Sequence, residues 1–349
     1  MRKVVVAVGL GLVALAAYAA PPPSSTVTTA TLGVPTVVDP TDNPRTAAKV
    51  LLGRKLFFDK RLSADNSISC ATCHDPSYGF ADPHALSVGV KGRQSERNSP
   101  TILNAVFADV LMWDGRSASL EEQVDLPFSS PTELGLPEEQ AALKLRQQGY
   151  NELFQEVFHE DVTAANLSKA LAAYQRTLIA ADTPFDRFVF KHDQGAISAG
   201  ARRGFQVFLD AKCDSCHLVM TEGLHPFALN YAVFTDSKFH NLGVDAAKAN
   251  PDPGRYTITG AREDWGRFRT PSLRNVALTA PYFHDGSKAT LADVVDFYDK
   301  GGGPNPNLDP ALHPLNLTPQ QKQDLVQFLE SLTSPHVAAL GGDPDVAAE

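Results

Sequence analysis

The chain holds four cysteines, Cys70, Cys73, Cys213 and Cys216, and all four fall in two copies of one short pattern. Each pair is C-x-x-C, and a histidine follows at once, His74 in the first copy and His217 in the second. Four cysteines could otherwise close two disulfides. The spacing argues against that, because two thiols and an adjacent imidazole this close in sequence can all reach one macrocycle. The pattern is the attachment signature of c-type haem: the thiols add to the vinyl groups and the histidine ligates the iron. A single copy would also fit a redox dithiol or half of a zinc site. Two copies with no cysteine to spare leave those readings little room. The expected cofactors are two covalent haems c, with His74 and His217 as iron ligands.

The N-terminus reads as an export signal, which suits periplasmic haem attachment. Arg2 and Lys3 are followed by an apolar run from Val4 to Ala17, and Ala17-Tyr18-Ala19 forms a small-x-small cleavage site. The run is short for a bilayer span and no stop-transfer pattern follows, so a cleaved signal is preferred over a membrane anchor. No other segment is long and apolar enough to span a membrane. Losing Arg2 and Lys3 takes the formal charge from -9 to -11. An acid chain of this kind argues against nucleic-acid binding.

The expected organisation is a signal peptide over 1–19, a loose Pro-, Thr- and Val-rich leader over 20–44, a first haem domain over 45–190, a second over 191–335, and a tail over 336–349. Helical periodicity begins near Thr46 and continues through Leu51, Leu52, Leu56 and Phe57. Further helices are expected from Pro137-Glu138-Glu139, over Tyr150 to Phe158, Thr163 to Ala180 and Ser198 to Leu209, after Thr290, and from Thr318-Pro319-Gln320-Gln321. Both C-x-x-C-H motifs follow a basic, glycine-containing helix, an internal repeat in which His217 lies 143 residues after His74 (217 − 74). Strand signals are weak. The fold class is therefore mostly α: two c-type cytochrome domains with long loops and one haem in each.

Electron-carrying cytochromes fill both axial positions of the iron, often with methionine. The chain has three methionines, Met1, Met112 and Met220. Met1 leaves with the signal, and Met220 is too close to His217 to reach the far face of that haem. Beyond Met112, any second ligand is another histidine, a tyrosine, or absent.

Further motifs are Trp113-Asp114-Gly115-Arg116, the run from Phe268 to Asn275, and Ala280-Pro281-Tyr282-Phe283-His284-Asp285-Gly286. With the haem motifs they make the chain, from about Leu51 to Leu332, resemble the bacterial di-haem cytochrome c peroxidase and MauG family, and within it the MauG-like members. The resemblance implies that the haem at His74 reacts with hydrogen peroxide and that the second haem feeds it electrons. Ordinary members place a blocking histidine just after a Ser-x-Gly stretch; here Ser87-Val88-Gly89 is followed by Val90, which implies an open first haem. Where ordinary members have a methionine ligand to the second haem, this chain has Tyr298, as MauG-like members do. Periodicity alone would make Tyr298 a packed core aromatic. By the same resemblance Trp113 relays electrons between the haems, and Gln123, Pro127 and Glu133 line the peroxide pocket, with Glu133 able to shuttle a proton. A calcium ion would take the Asn98 side chain and the carbonyls of Thr279 and Pro281, oxygen donors that suit it. His240 and His284 match family landmarks without a ligand role. One departure stands out: MauG-like members draw electrons from a protein substrate through a surface tryptophan two residues before the second motif, and here that position is Ala211.

The leading expectation is a periplasmic oxidoreductase reducing hydrogen peroxide to water, supplied by a small redox protein such as a cytochrome c or a cupredoxin. The rival is a maturation enzyme that oxidises residues of a partner protein to form a quinone cofactor; Val90 and Tyr298 favour it and Ala211 does not. A plain electron carrier is the third class, disfavoured by the shortage of methionine.

Overall fold

The structure is a computed structural model that describes residues 31–219 and 232–341. The expected signal peptide, leader residues 20–30, Met220 and the tail beyond 341 lie outside the described residues. The helices that matter here are α1 (Ala47–Phe58), α2 (Leu120–Ser129), α3 (Glu138–Gln147), α4 (Asn151–Phe158), α5 (Ala164–Gln175), α6 (Pro184–Phe190), α7 (Ala199–Asp210), α8 (Leu291–Asp299) and α9 (Pro319–Glu330). Two short strands, β1 (Phe239–His240) and β2 (Phe268–Arg269), pair antiparallel. The protein is mostly helical, as expected, and among the described residues no helix is long and apolar enough to cross a membrane.

Two hydrophobic cores divide the molecule. The first gathers Leu52, Leu56 and Phe57 of α1 with Phe128 of α2, Phe154 of α4 and Leu167 and Leu171 of α5. The second gathers Phe185 of α6, Val207 and Phe208 of α7, Val295 of α8 and Phe328 of α9. The second core thus begins at Phe185, inside the segment assigned above to the first domain. Each core is keyed by a glycine on the helix that leads into its C-x-x-C-H. A β-carbon on Gly53 of α1 would sit 1.9 Å from the Ala170 carbonyl oxygen of α5, and one on Gly204 of α7 would sit 1.8 Å from that of Asp324 of α9. Only glycine lets these helix pairs approach so closely.

Cap chemistry explains most helix starts. The side chains of Thr46, Ser119, Ser198, Thr290 and Thr318 each accept a hydrogen bond from the backbone N–H three residues on. Three expectations need correction. The helix from Thr163 stops at Gln175, not Ala180, because the chain leaves it to pair with Asn104: Asn104 N donates to the Leu178 carbonyl and Ala180 N to Asn104 Oδ1. Helices α2 and α6 were missed, α2 because Pro127 lies inside it; the Ser119 cap and the buried Leu120, Val124 and Phe128 carry α2 regardless, and a Thr183 capping box opens α6. The described leader is not loose. Asn43 is fully buried and donates to Glu121 and to the Lys169 carbonyl, and the Gly33 carbonyl accepts from Arg274.

A second repeat, longer than the haem motif, relates the two halves. Asn104 and Asn275 are both left-handed and each opens a 3-10 turn. Met112 and Phe283 both have positive φ, and the bridges Leu111–Ser117 and Tyr282–Lys288 close matching loops. Ser119 caps α2 and Thr290 caps α8. Every pair differs by 171 positions (275 − 104, 290 − 119). By that register Trp113 corresponds to His284 and Pro127 to Tyr298.

Candidate functional site

A cavity of about 800 Å³ runs between the halves and is lined by both motifs, Cys70, Cys73 and His74 on one side and Cys213, Cys216 and His217 on the other. It is at the upper end of the usual size for a buried cofactor site. Both histidines are aimed by one device. His74 Nδ1 lies 3.2 Å from the Phe80 carbonyl oxygen, and His217 Nδ1 lies 3.0 Å from that of Phe234. A carbonyl only accepts, so each Nδ1 carries the proton and each Nε2 keeps its lone pair for a metal. Phe80 and Phe234 both sit at positive φ, which turns their carbonyls toward the rings. Burial keeps both imidazoles neutral. It also raises the thiols of Cys70 and Cys213 to about 12, and the cysteines are not joined as disulfides.

The donor set fits haem, and one cation supports that fit. Arg269 lines the cavity, yet among the described residues no carboxylate is within ion-pair distance of its guanidinium. Its donors reach only carbonyls, Met112 at 3.2 Å and Thr270 at 3.2 Å. Burial lowers it to about 10, with no acid in compensation. A cation on a cavity wall left without a partner is costly once water is excluded, and the carboxylates of a haem would supply one.

Around the first motif the cavity is lined by Gln123, Pro127 and Glu133. Glu133 sits on the loop after α2. Burial raises its pKa, and Arg116 opposes that only in part. The Ser87-Val88-Gly89 stretch is packed against this loop: Val90 N donates to the Glu133 carbonyl at 3.0 Å, and a β-carbon on Gly89 would sit 2.1 Å from the Thr132 carbonyl. Val90 itself is 2% exposed and packs into the first core, away from the cavity.

Around the second motif the wall is α8, whose Leu291, Val294, Val295 and Tyr298 all line the cavity. Burial, with the Cys213 and Cys216 thiols nearby, pushes the Tyr298 phenol well above its ordinary range, so the group stays neutral unless a cation meets its oxygen. His240 is gripped between Asp309 at 2.6 Å and Asp236 at 3.0 Å. Asp236 foremost, then Cys216 and Asp309, raise it to about 11, outweighing burial.

Trp113 stands between the halves. Its Nε1 donates to the Asn98 carbonyl at 2.8 Å, its carbonyl accepts from Arg269 N at 2.8 Å, and its ring lies edge-on to His284 at 6.4 Å. His284 stacks on Phe268 at 3.6 Å, and Arg97 lies over the Phe268 ring at 5.4 Å from its centre. Arg97 joins the halves by ion pairs to Asp114 at 2.5 Å and Asp252 at 2.6 Å. Asn98, Thr279 and Pro281 line the same cavity. Asn98 Nδ2 donates to the carbonyls of His84 and Ala85, which leaves Oδ1 as its free acceptor lobe.

Sequence reasoning missed the stack of Arg97, Phe268 and His284, and it missed Arg269. The signal was present: Pro100-Thr101-Ile102-Leu103-Asn104 matches Pro271-Ser272-Leu273-Arg274-Asn275 at the same offset of 171 (271 − 100), and pursuing it would have paired Trp113 with His284.

Comparison with known proteins agrees with this geometry. Residues 47–194 match a family model described as di-haem cytochrome c peroxidase, and residues 201–333 match one described as cytochrome c. The chain is 38% identical over 311 residues to the methylamine utilization protein MauG of Methylorubrum extorquens, covering 86% of this chain and 83% of that protein. It is 36% identical over 339 residues to cytochrome-c peroxidase IdrP1 of a Pseudomonas species, covering 90% and 88%. The crystal structure of a MauG-like protein associated with microbial copper homeostasis superposes with a TM-score of 0.78 at 33% identity, covering 89% of this chain and 97% of that one. Two haem-binding cytochrome c domains, aimed histidines and relatives of both kinds lead to one conclusion: the chain belongs to the di-haem cytochrome c peroxidase family and is an oxidoreductase of the peroxidase and MauG type, carrying two haems c.

Proposed function

We propose that this chain is an exported, periplasmic peroxidase that reduces hydrogen peroxide to water at the haem held by His74, with Cys70 and Cys73 as its thioether anchors. The second haem would be held by Cys213 and Cys216, with His217 and Tyr298 as the side chains that would offer its iron a donor atom. When bound, the haems supply iron that exchanges electrons one at a time and accepts an oxygen ligand. The observation that carries the reading is the contrast at one register position: Pro127 faces the first half of the cavity, where Tyr298 faces the second. The proline side chain has no donor atom to offer a metal, whereas a phenol can become an anionic ligand. Only the first half is thereby left open to a small oxidant.

The chain's own part in the chemistry is proton handling. Glu133, ionised, takes the proton from one peroxide oxygen and returns it to the other as that oxygen leaves as water. Gln123, on the same helix as Pro127, holds the peroxide or the water by hydrogen bonding. Burial around Glu133 excludes bulk water and raises its pKa, so the carboxylate binds a proton more readily than a free glutamate does. Trp113 carries electrons between the halves, and Arg269 and Asn98 fix its position from either end. Asn98 Oδ1 with the carbonyls of Thr279 and Pro281 makes an oxygen set suited to calcium, completed by water. A small cytochrome c or cupredoxin supplies the electrons.

The test is to add one equivalent of hydrogen peroxide to the fully oxidised holoprotein with no reductant. Immediate reaction supports the open first site. A requirement for prior reduction contradicts it. Because Glu133 acts as a base, the rate should rise with pH along a limb centred above the ordinary glutamate value of about 4.3. The quinone-forming maturation role is the second reading; the combination of Val90 and Tyr298 favours it, and Ala211 counts against its usual route.

A further inference from the structure

The chain has two tryptophans. Trp113 is inside, between the halves, and Trp265 is outside, 41% exposed. Trp265 follows a turn that begins at Tyr256, and the two rings lie 5.0 Å apart. Ile258, 47% exposed, sits in the same turn. This segment is also the wall of the cavity: Thr257, Ile258 and Gly266 line it. Trp265 is therefore one residue removed from the cavity, a Cα spacing of about 3.8 Å. Its carbonyl accepts from Asn241 Nδ2 at 2.9 Å, and Asn241 follows His240 at the second motif. Three residues further on, Phe268 begins the stack through His284 to Trp113. An exposed tryptophan backed by a half-buried tyrosine, with an aliphatic neighbour and charged residues, Arg262 and Glu263, beside it has the make-up of an interface anchor.

We propose that Trp265, backed by Tyr256, is the port through which a small redox protein delivers electrons to the second half of the cavity. This rests on the peroxidase reading above. In turnover two donor molecules each lose one electron, and one hydrogen peroxide takes up two electrons and two protons to give two waters. Trp265 is oxidised and re-reduced once per electron and is unchanged overall. With no donor, the oxidising equivalents remain at the port. The indole then loses two electrons and gains one oxygen, so that one peroxide and one tryptophan give one hydroxylated tryptophan and one water.

The experiment uses the holoprotein and its W265F variant, with I258D as a second surface change. Reduced cytochrome c is the protein donor and ferrocyanide the small one. W265F should oxidise cytochrome c more slowly by about tenfold or more, the loss of a central aromatic anchor. I258D should raise KM for cytochrome c. W265F should keep the wild-type rate of reaction with peroxide and with ferrocyanide. Peptide mapping of the wild type after donor-free peroxide should find one added oxygen on Trp265. Wild-type cytochrome c oxidation by W265F overturns the port, whatever the peptide map shows. A wild-type protein that does not react with peroxide at all contradicts the peroxidase reading instead.

Discussion

The two halves of the molecule use one backbone plan for opposite purposes. In each, a glycine-keyed helix leads into C-x-x-C-H, a carbonyl at positive φ aims the histidine, and a capped helix 171 positions apart walls the far side of the cavity. At the wall of the cavity the difference lies in a few side chains. The first half presents Gln123, Pro127 and the buried Glu133; the second presents Val294 and Tyr298 at the positions of Gln123 and Pro127. On the proposed reading, a duplicated scaffold becomes one reactive site and one electron-handling site through what lines each half of the cavity, while the histidine support stays common to both.

Placing a tyrosine in the first half at the position that matches Tyr298 is the strongest way to break the contrast. Pro127→Tyr should give the first half a closing ligand and abolish its reaction with peroxide in stopped-flow mixing, with haem content unchanged. Next in size, Glu133→Gln keeps the shape but removes the base. It should slow the peroxide reaction by about 10²- to 10⁴-fold and erase the acid limb of the pH–rate profile.

The halves also differ in what holds them. Position 103 is Leu103, buried in the first core, and its counterpart is Arg274. Arg274 makes a bidentate, buried pair with Asp186 at 2.8 and 2.9 Å and also donates to the carbonyls of Gly33 and Ala232. Arg274→Ala strands a buried carboxylate and should cost about 3–5 kcal/mol of unfolding free energy. Adding Asp186→Ala should recover part of that loss, whereas no such recovery has a partner in the first half. The smallest effect is the shared one. Gly53→Ala and Gly204→Ala each press a methyl group into a facing backbone and should each cost about 1–3 kcal/mol, measured as parallel losses in denaturant midpoint.

The haem motifs, the helical class and most helix starts were legible because each is local: C-x-x-C-H is five residues long, and the caps at Thr46, Ser198, Thr290 and Thr318 lie beside the helices they open. The stop of α5 at Gln175 was not legible, because it depends on Asn104, distant in sequence. Helix α2 was hidden by Pro127, a residue whose presence inside a helix ordinarily argues against one. The stack of Arg97, Phe268, His284 and Trp113 comes from four separated segments, so no local pattern announces it. Arg269 gains its meaning only from the lack of an acid nearby, which a sequence cannot display.

The central claim is that one haem is open and the other is closed by Tyr298. Electron paramagnetic resonance of the resting, fully oxidised holoprotein, beside Tyr298→Phe, tests it most directly. One high-spin and one low-spin signal are expected in the wild type, with the substitution altering only the low-spin one. Two low-spin signals, or a low-spin signal indifferent to the loss of Tyr298, would contradict it.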